Sequence, residues 1–294
     1  MRLPRRTAHF SGWVHEVKFD GWRLQVHKHG QDVWLYSGNG RARRTPSGYW
    51  NSRAWLMCGR ITQKSPPDQL RLTILMGTPD DPRVTKAKPR YNGAPSQDLL
   101  VIRRHPKTGE YLQDLLRWGL IPNWTKEISP KLKPINATAE GVATAPMFRD
   151  AYARRRCIVP VDNFFEWKAV KGAKAKQPYA IALKSGKPFG IAGIWESWKH
   201  PESGEVIRTF CIITTAANEL VLDIHDRMPV ILPSETYDRW LVSIEPDPRD
   251  LLMPFPAELM MMWPISTRVN KPDHDDPEIL DPLEPVDGGS PTLL

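Results

Sequence analysis

Short apolar runs separated by Pro, Gly and Asn dominate the hydrophobic pattern of the chain, and they predict a strand-rich fold. The runs that predict strands are residues 99–103, 157–160, 179–183, 189–194 and 210–214. Helical periodicity is weaker and predicts amphipathic helices at residues 67–75, 140–153 and 234–241. The chain has no regular strand–helix–strand alternation and no internal repeat. This favours an α+β fold with a largely antiparallel or mixed β core and peripheral helices.

Composition divides the chain into three regions. Residues 1–56 are basic and rich in aromatic residues and His, with strand-like runs at 13–19 and 32–36 and an irregular linker predicted at 41–56. We expect this region not to be an independent domain. Residues 57–282 form the predicted main domain, and the Pro- and Gly-rich residues 283–294 predict a disordered tail.

Charge is distributed unevenly along the chain. Residues 1–56 hold ten Lys and Arg against three Asp and Glu, whereas the seven acids between Asp273 and Asp287 have no Lys or Arg among them. The domain between these regions is basic, which favours a polyanionic partner such as nucleic acid.

Cysteine usage and hydropathy indicate the compartment. The three cysteines, Cys58, Cys157 and Cys211, are odd in number and widely spaced, which is typical of a reducing compartment without a disulfide framework. No apolar stretch is long enough to predict a membrane span, and no signal peptide opens the chain. We expect a cytoplasmic protein with no membrane partner. No pattern favours an oligomer, so we expect a monomer.

Several short polar and aromatic segments stand out within the main domain. The first is Met57-Cys58-Gly59-Arg60, which is typical of a protein start. The others are residues 90–97, 117–124, 135–140, 156–167 and 224–229. A cysteine at a free amino terminus carries an amine of pKa about 8 and a thiol of pKa about 8.5 on adjacent carbons. These two nucleophiles can close a five-membered ring on one aldehyde.

In this order and spacing, the segments resemble the SOS-response-associated peptidase family, also called abasic-site processing proteins. The resemblance covers residues 57–282 and implies a barrel-like β core. It implies that Cys58 becomes the first residue and captures the aldehyde of an abasic site in single-stranded DNA as a thiazolidine crosslink, with an associated self-processing peptidase activity. No metal and no diffusible cofactor is implied, and the protein would associate with the nucleoid when bound to DNA.

Matching by motif, the resemblance makes Cys58 the nucleophile, with Asn136, Glu166 and His225 as its active-site partners. Their chemistry fits these roles. Glu166 can accept a proton from the amine, His225 can transfer protons near neutral pH, and Asn136 can bind an oxygen without titrating. Candidate DNA-binding residues are the aromatic side chains and arginines near these motifs: Arg60, Arg90, Trp118, Trp124, Phe148, Arg149 and Arg227.

Each residue also has an ordinary structural interpretation. Cys58 alone would be a small core residue, Glu166 a surface acid at a strand end, and His225 a core histidine with satisfied hydrogen bonds. Trp118 and Trp124 are equally well explained as core residues. Cys157 and Cys211 lie among Ile and Val within predicted strands and are expected to be structural.

The first 40 residues resemble a fragment of an ATP-dependent DNA ligase. Lys18, Asp20, Gly21 and Arg23 match the motif K-x-D-G-x-R, in which the lysine attacks ATP. No later ligase motif follows, so we expect no ligation. A fused remnant or an upstream start called in error explains the segment better.

This segment conflicts with the chemistry of Cys58, because a peptide bond to Met57 removes the free amine. Either translation begins at Met57 or the bond before Cys58 is cleaved. Two alternatives to abasic-site capture remain: a cysteine-dependent peptidase acting on protein substrates, and a catalytically inert DNA-binding module.

Overall fold

A computed structural model describes residues 59–283, except 73, 75–81, 127–132, 171, 174 and 243–246, together with the backbone of four strands before residue 47. Its contacts divide the chain into two compact units, Met1–Leu56 and Met57–Leu294. Cys58 and residues 284–294 of the predicted disordered tail 283–294 lie outside the described part. No helix in the described part is long and apolar enough to cross a membrane.

The first unit contains one antiparallel sheet whose strands follow chain order. They are β1 (Val14–Phe19), β2 (Trp22–His29), β3 (Asp32–Ser37) and β4 (Ala42–Pro46). The strand pattern predicts β1 and β3 but not β2. The prediction of an irregular linker is wrong over β4, because this segment pairs with β3 from Tyr36↔Ala42 to Asp32↔Pro46.

The second unit is strand-rich, and all five strands predicted for it are confirmed. The strands are β5 (Ile61–Gln63), β6 (Arg90–Gly93), β7 (Asp98–Arg104), β8 (Tyr111–Trp118), β9 (Asn136–Thr138), β10 (Arg156–Val161), β11 (Asn163–Lys168), β12 (Gln177–Leu183), β13 (Phe189–Lys199), β14 (Val206–Ala216), β15 (Arg227–Pro229), β16 (Ile231–Leu232) and β17 (Met260–Pro264). The fold is α+β with mainly antiparallel pairing, as the sequence predicts.

Five of these strands close into a barrel. The pairings run in the order β14-β8-β7-β10-β13, and β13 pairs again with β14. The closing pairs are antiparallel except β14 with β8, which is parallel through Thr209↔Arg117 and Phe210↔Trp118. Strands β15 and β9 also pair with β14, near its carboxyl end.

A second, antiparallel sheet has the order β17-β12-β11-β5-β6. The chain passes from the barrel into this sheet at Asp162, which separates β10 from β11. The Asp162 carboxylate accepts hydrogen bonds from the backbone N–H groups of Lys64 (2.7 Å) and Ser65 (3.0 Å) and from the Ser65 hydroxyl. This break divides residues 156–167 into two strands in different sheets.

Helices are short and lie around the sheets. The α-helices are α1 (Pro82–Thr85), α2 (Arg149–Arg154), α3 (Glu219–Leu222) and α4 (Tyr237–Val242). Single 3₁₀ turns are formed by Gln69–Arg71, Ser234–Thr236, Pro248–Leu251, Ala257–Leu259, Thr267–Asn270 and Pro277–Leu280.

Two of the three predicted helices are therefore much shorter than expected. Residues 141–148 form turns, because Pro146 lacks the N–H that a helix interior requires. The helix predicted from residue 67 is a 3₁₀ turn that ends at Leu72, whose φ of 59° is left-handed. The helix predicted at 234–241 is present as a 3₁₀ turn followed by α4.

One apolar core joins the barrel to the second sheet. Barrel residues such as Leu116 and Phe210 share a buried cluster with Ile61, Phe164 and Ile181 of the second sheet. All five side chains are fully buried. Because fully burying a large apolar side chain contributes about 1.5–3 kcal/mol, this shared core fixes the two sheets against each other.

Candidate active site

Glu166 is buried in the middle of β11, where it pairs with Tyr179 of β12. Only 2% of the residue is exposed, so its interpretation as a surface acid is wrong. A carboxylate this deeply buried costs several kcal/mol in desolvation unless it is partnered, so a buried acid of this kind is more typical of a functional site than of a solvated face.

Gly59 is buried beside the strand that carries Glu166. Strand β5 pairs with β11 through Thr62↔Asn163 and Ile61↔Phe164, and the Phe165 N–H donates to the carbonyl of Arg60 (3.1 Å). A Cβ placed on Gly59 would lie 3.7 Å from Cδ1 of Ile135. The Cβ position of Gly59 therefore faces the segment that enters β9, and Gly59 lies two residues before Ile61, the first residue of β5 that pairs with β11.

Asn136 begins the short strand β9 and is half-buried. It pairs with Ile212 of β14 in parallel register. The carbonyl of the preceding Ile135 accepts two hydrogen bonds, from Nε1 of Trp118 (2.9 Å) and from the backbone N–H of Ile212 (3.0 Å). These bonds fix the position at which β9 starts, and with it the backbone of Asn136.

His225 follows α3, and the segment between them is tightly turned. Asn218 caps α3 by accepting the Val221 N–H (3.0 Å), and the His225 N–H donates to the Val221 carbonyl (2.9 Å). The ring atom Nδ1 accepts the Arg227 N–H (3.1 Å), although a carboxylate oxygen of Asp226 lies equally near. A backbone N–H is a fixed donor, so we assign Nδ1 as the acceptor and Nε2 as the protonated nitrogen.

The environment of His225 favours its neutral form. Burial lowers the pKa of the imidazole from its usual 6.5, the charge of Asp226 raises it, and the charge of Lys176 lowers it further. The net direction is downward, so His225 is a neutral imidazole near pH 7 with one N–H to donate.

Arg227 joins the two strands that flank the end of β14. Its guanidinium donates to both carboxylate oxygens of Glu140 (2.7 and 3.0 Å) and to the carbonyl of Thr214 (2.7 Å). The bond from Arg227 lowers the pKa of the Glu140 carboxyl. This ion pair links the loop after β9, which begins at Asn136, to β15, which follows His225.

One apolar residue near each predicted catalytic residue packs into the same core. Ile61, Ile135, Phe164 and Ile224 belong to or pack against the cluster shared by the barrel and the second sheet. Each of them lies within three residues of a predicted site residue. The segments that carry Asn136, Glu166 and His225 therefore each contribute an apolar side chain to this core, as does β5, which follows Gly59 and Arg60.

The predicted aromatic DNA contacts differ in exposure. Trp118 is 1% exposed and stacks on Phe210 with ring centroids 5.9 Å apart, so its faces are not available to a base. This corrects its assignment as a stacking residue. Trp124 is 57% exposed on a loop held by a hydrogen bond from Trp198 Nε1 to the Thr125 carbonyl (2.6 Å). Phe148 is half-buried and packs against a second apolar cluster, which contains barrel residues such as Ile158 and Ile194.

The predicted arginine contacts are also placed unequally. Arg149 is exposed, and Arg90 is exposed but paired with Asp275 at 3.0 Å. Arg60 is half-buried, and burial lowers the pKa of its guanidinium. The Arg227 guanidinium is paired with the Glu140 carboxylate, so we assign Arg227 a structural role before a DNA contact.

Asn92 in the 90–97 segment is a structural residue. It is fully buried, and its Nδ2 contacts the carbonyls of Val269 (3.1 Å), Lys271 (3.0 Å) and His274 (2.9 Å). In addition, the Asp275 carboxylate accepts hydrogen bonds from the backbone N–H groups of Tyr91 and Asn92. The motif thus anchors residues 267–276 beside the second sheet, which sequence reasoning missed because these contacts join segments far apart in the chain.

Neither Cys157 nor Cys211 is placed to act as a nucleophile. Both are fully buried, and burial raises the pKa of both thiols. No three His, Cys, Asp or Glu side chains of the described part are grouped to hold a metal ion. A cavity of about 420 Å³ lined by Arg103, Asp114, Trp195 and Arg208 contains none of the predicted site residues.

Comparison with known proteins identifies the family. The sequence model of the SOS response associated peptidase (SRAP) family matches residues 57–272. Abasic site processing protein YoqW of Bacillus subtilis (strain 168) is 41% identical over 230 residues, covering 76% of this chain and 99% of that protein. Abasic site processing protein HMCES of Gallus gallus is 32% identical over 232 residues, covering 69% of this chain and 68% of that protein.

A solved structure agrees with this result. A crystal structure of a protein from Bacteroides thetaiotaomicron is 28% identical, with a TM-score of 0.67, and covers 77% of this chain and 100% of that chain. The family model falls on the part of the chain that begins at Met57. The chain belongs to the SOS response associated peptidase (SRAP) family.

Proposed function

We propose that this protein processes abasic sites in DNA by covalent capture, using Cys58 as a free amino-terminal residue. The observation that carries the proposal is the position of Gly59. Gly59 is buried, its Cβ position lies 3.7 Å from Ile135, which precedes Asn136, and the next residue, Arg60, accepts a hydrogen bond from the Phe165 N–H, which precedes Glu166. Consecutive Cα atoms are about 3.8 Å apart, so these contacts support a position for Cys58 near both segments. The relatives named abasic site processing proteins support the substrate.

The chemistry needs no external reactant. The amine of Cys58 attacks the aldehyde carbon of the ring-opened sugar, and loss of one water gives an imine. The thiol then adds to the imine carbon, forming a C–S bond while its proton passes to nitrogen. The product is a thiazolidine, and the balance is one aldehyde and one cysteine giving one ring and one water.

Each partner has a distinct part in these steps. Glu166, in its buried position, accepts the proton that the ammonium form must lose before attack. The neutral His225, favoured by its lowered pKa, donates a hydrogen bond from Nε2–H to the departing oxygen, and Glu166 returns the proton that it took from the amine so that this oxygen leaves as water. The Asn136 amide binds a sugar or phosphate oxygen without changing charge.

The proposed partner is single-stranded DNA, because unpaired bases expose faces on which an aromatic ring can stack. Trp124, with 57% of its surface exposed, is the proposed stacking residue, and Phe148 contributes an edge. Arg149 and Arg60 are the proposed phosphate contacts, with Arg90 joining them if DNA displaces Asp275.

Capture by this route requires that the bond between Met57 and Cys58 be broken. The boundary between the two compact units lies one bond earlier, between Leu56 and Met57. We propose that the active species begins at Cys58, either because translation starts at Met57 or because the preceding segment is removed. The peptidase in the family's description is compatible with self-removal.

The test controls whether Cys58 has a free amino group. A full-length variant would carry a protease recognition sequence in place of residues 54–57, cut by an enzyme that leaves Cys58 as the new first residue. The protein, before and after cleavage, is incubated with a single-stranded oligonucleotide containing an aldehydic abasic site. A heat-stable shifted band only after cleavage is the expected result.

Matched variants identify the reacting atoms. Cys58→Ser keeps the amine but not the thiol, so it should give no heat-stable band, although borohydride should trap its imine. Cys157→Ala, at a fully buried thiol, should crosslink like the parent. An uncleaved protein that crosslinks as well as the cleaved one would refute the proposal.

A cysteine peptidase acting on other proteins is the second candidate, supported by the family's description alone. The same cleaved protein separates the two functions. Hydrolysis of a peptide library without any DNA adduct would favour the peptidase. Reversible DNA binding that Cys58→Ala leaves unchanged, with neither reaction, would favour an inert binding module.

A further inference from the structure

Asn270 accepts hydrogen bonds from two side chains, those of Trp167 and Arg60. Its Oδ1 accepts the indole N–H of Trp167 (2.7 Å), and its backbone carbonyl accepts Nη2 of Arg60 (3.1 Å). Trp167 directly follows Glu166 on β11, and Arg60 directly follows Gly59 before β5. One residue from a distant part of the chain therefore contacts the immediate neighbours of the proposed proton acceptor and of the residue bonded to Cys58.

The segment that carries Asn270 is itself held firmly. Asn270 ends the 3₁₀ turn Thr267–Asn270, which Ser266 caps by accepting the Arg268 N–H (3.3 Å). The buried Asn92 amide contacts the carbonyls on both sides of Asn270, those of Val269 and Lys271. Val269 is also fully buried in the small core beneath β11 and β12. The Asn270 side chain is exposed, but its backbone is held in place, so it can orient neighbouring side chains.

We propose that Asn270 is a positioning residue for DNA, which fixes the Trp167 ring as a platform for the nucleotide beside the captured sugar. This inference rests on the proposed function and deepens it. Because its N–H is bound to Asn270, the Trp167 indole cannot rotate freely. DNA binding then loses less conformational entropy, since the ring is already ordered in the free protein. The same residue directs the Arg60 guanidinium along the edge of the platform, where a phosphate would lie.

The chemistry of the amide suits this position. An indole N–H is only a donor, so it requires an acceptor, and the amide oxygen supplies one without charge. A carboxylate would also accept this hydrogen bond, but it would compete with a DNA phosphate for Arg60. The neutral side chain leaves the positive charge of Arg60 available.

Reversible binding tests the inference separately from covalent capture. The full-length protein is titrated into a fluorescent single-stranded oligonucleotide containing a tetrahydrofuran, an abasic analogue that has no aldehyde. Asn270→Leu, similar in size but without an acceptor, should weaken binding about fivefold, the change expected from one net hydrogen bond. The Arg60 bond goes to a backbone carbonyl and is retained in this variant.

A double-mutant cycle separates positioning from a general structural effect. Trp167→Phe keeps an aromatic face but has no N–H, so Asn270→Leu should have almost no further effect in that background. An additive loss in the double variant, or wild-type binding by Asn270→Leu, would overturn the inference. So would absence of any binding by the wild-type protein.

The cycle also distinguishes failure of the inference from failure of the proposed function. If the cleaved protein does not crosslink an aldehydic site but the cycle is non-additive, capture is wrong and positioning stands. If crosslinking occurs and the cycle is additive, capture stands and the role of Asn270 is wrong.

Discussion

Replacing Asn92 by Ala should destabilise the second unit by about 3 kcal/mol. The Asn92 Nδ2 group reaches three carbonyls at 2.9–3.1 Å, but its two hydrogens make at most two full bonds at once. Losing two bonds costs about 2 kcal/mol net, and leaving a buried carbonyl without a donor adds about 1 kcal/mol or more. For a unit of this size, that lowers the melting temperature by about 6–12 °C.

The measurement is urea unfolding followed by tryptophan fluorescence and by far-UV circular dichroism. Asn123→Ala serves as the matched control, because Asn123 is exposed and its replacement should change stability by less than about 0.5 kcal/mol. If Asn92→Ala unfolds at the same urea concentration as the control, the claim that this amide anchors residues 267–276 is refuted.

Three further predictions concern the site and its proposed DNA contacts. Trp118→Phe should lower stability by about 1–2 kcal/mol, because its indole N–H no longer reaches the Ile135 carbonyl, and should leave DNA affinity nearly unchanged. Trp124→Ala should do the reverse, weakening binding of the tetrahydrofuran oligonucleotide by about 1–3 kcal/mol without a change in unfolding; equal affinities would argue against stacking there. Lys176→Met should raise the pKa of His225, since the lysine charge lowers it, so crosslinking by the cleaved protein should begin to fall at a higher pH; an unchanged acid limb would contradict this assignment.

Protonation of His225 also has a defined effect on stability. Its folded pKa is lowered from the usual 6.5, so the neutral form is favoured by folding. The corresponding stability is present above the unfolded pKa and is lost as the pH falls through that value towards the folded pKa. His225→Gln should therefore lose less stability than the wild type between about pH 6.5 and 5, measured by thermal unfolding.

The strands were more predictable than the helices because their signal is local and strong. Continuous apolar runs such as the one containing Cys157–Pro160 can be buried only in a sheet with both faces covered, and the barrel provides this. The apolar spacing of residues 141–148 suits a helix, but the Pro and Gly residues in this segment favour turns instead. Strand β8 was missed because polar residues, including Gln113 and Asp114, interrupt its apolar pattern.

The site was less predictable, because its geometry depends on contacts between distant segments. Motif resemblance nominates Asn136, Glu166 and His225, but only the register of β11 with its neighbours shows that Glu166 is buried. Trp118 shows the opposite case. Its motif suggests a surface for bases, whereas its indole fills the barrel core and holds the Ile135 carbonyl. Nothing local in the sequence distinguishes these two uses of a tryptophan.

Closure of the barrel by β14 has a consequence for the order of events during synthesis. The parallel pairing of β14 with β8 and β9 cannot form until residues 206–216 have left the ribosome, and β15 follows still later. At about 5–20 residues per second, roughly 10–30 s separate the emergence of Cys58 from that of Arg227. During this interval the nascent segment around Cys58 is accessible to ribosome-associated enzymes, whereas Glu166 and His225 have not yet reached their folded positions. Any trimming that depends on Glu166 and His225 must therefore follow completion of the barrel, and trimming that precedes it must be carried out by another enzyme.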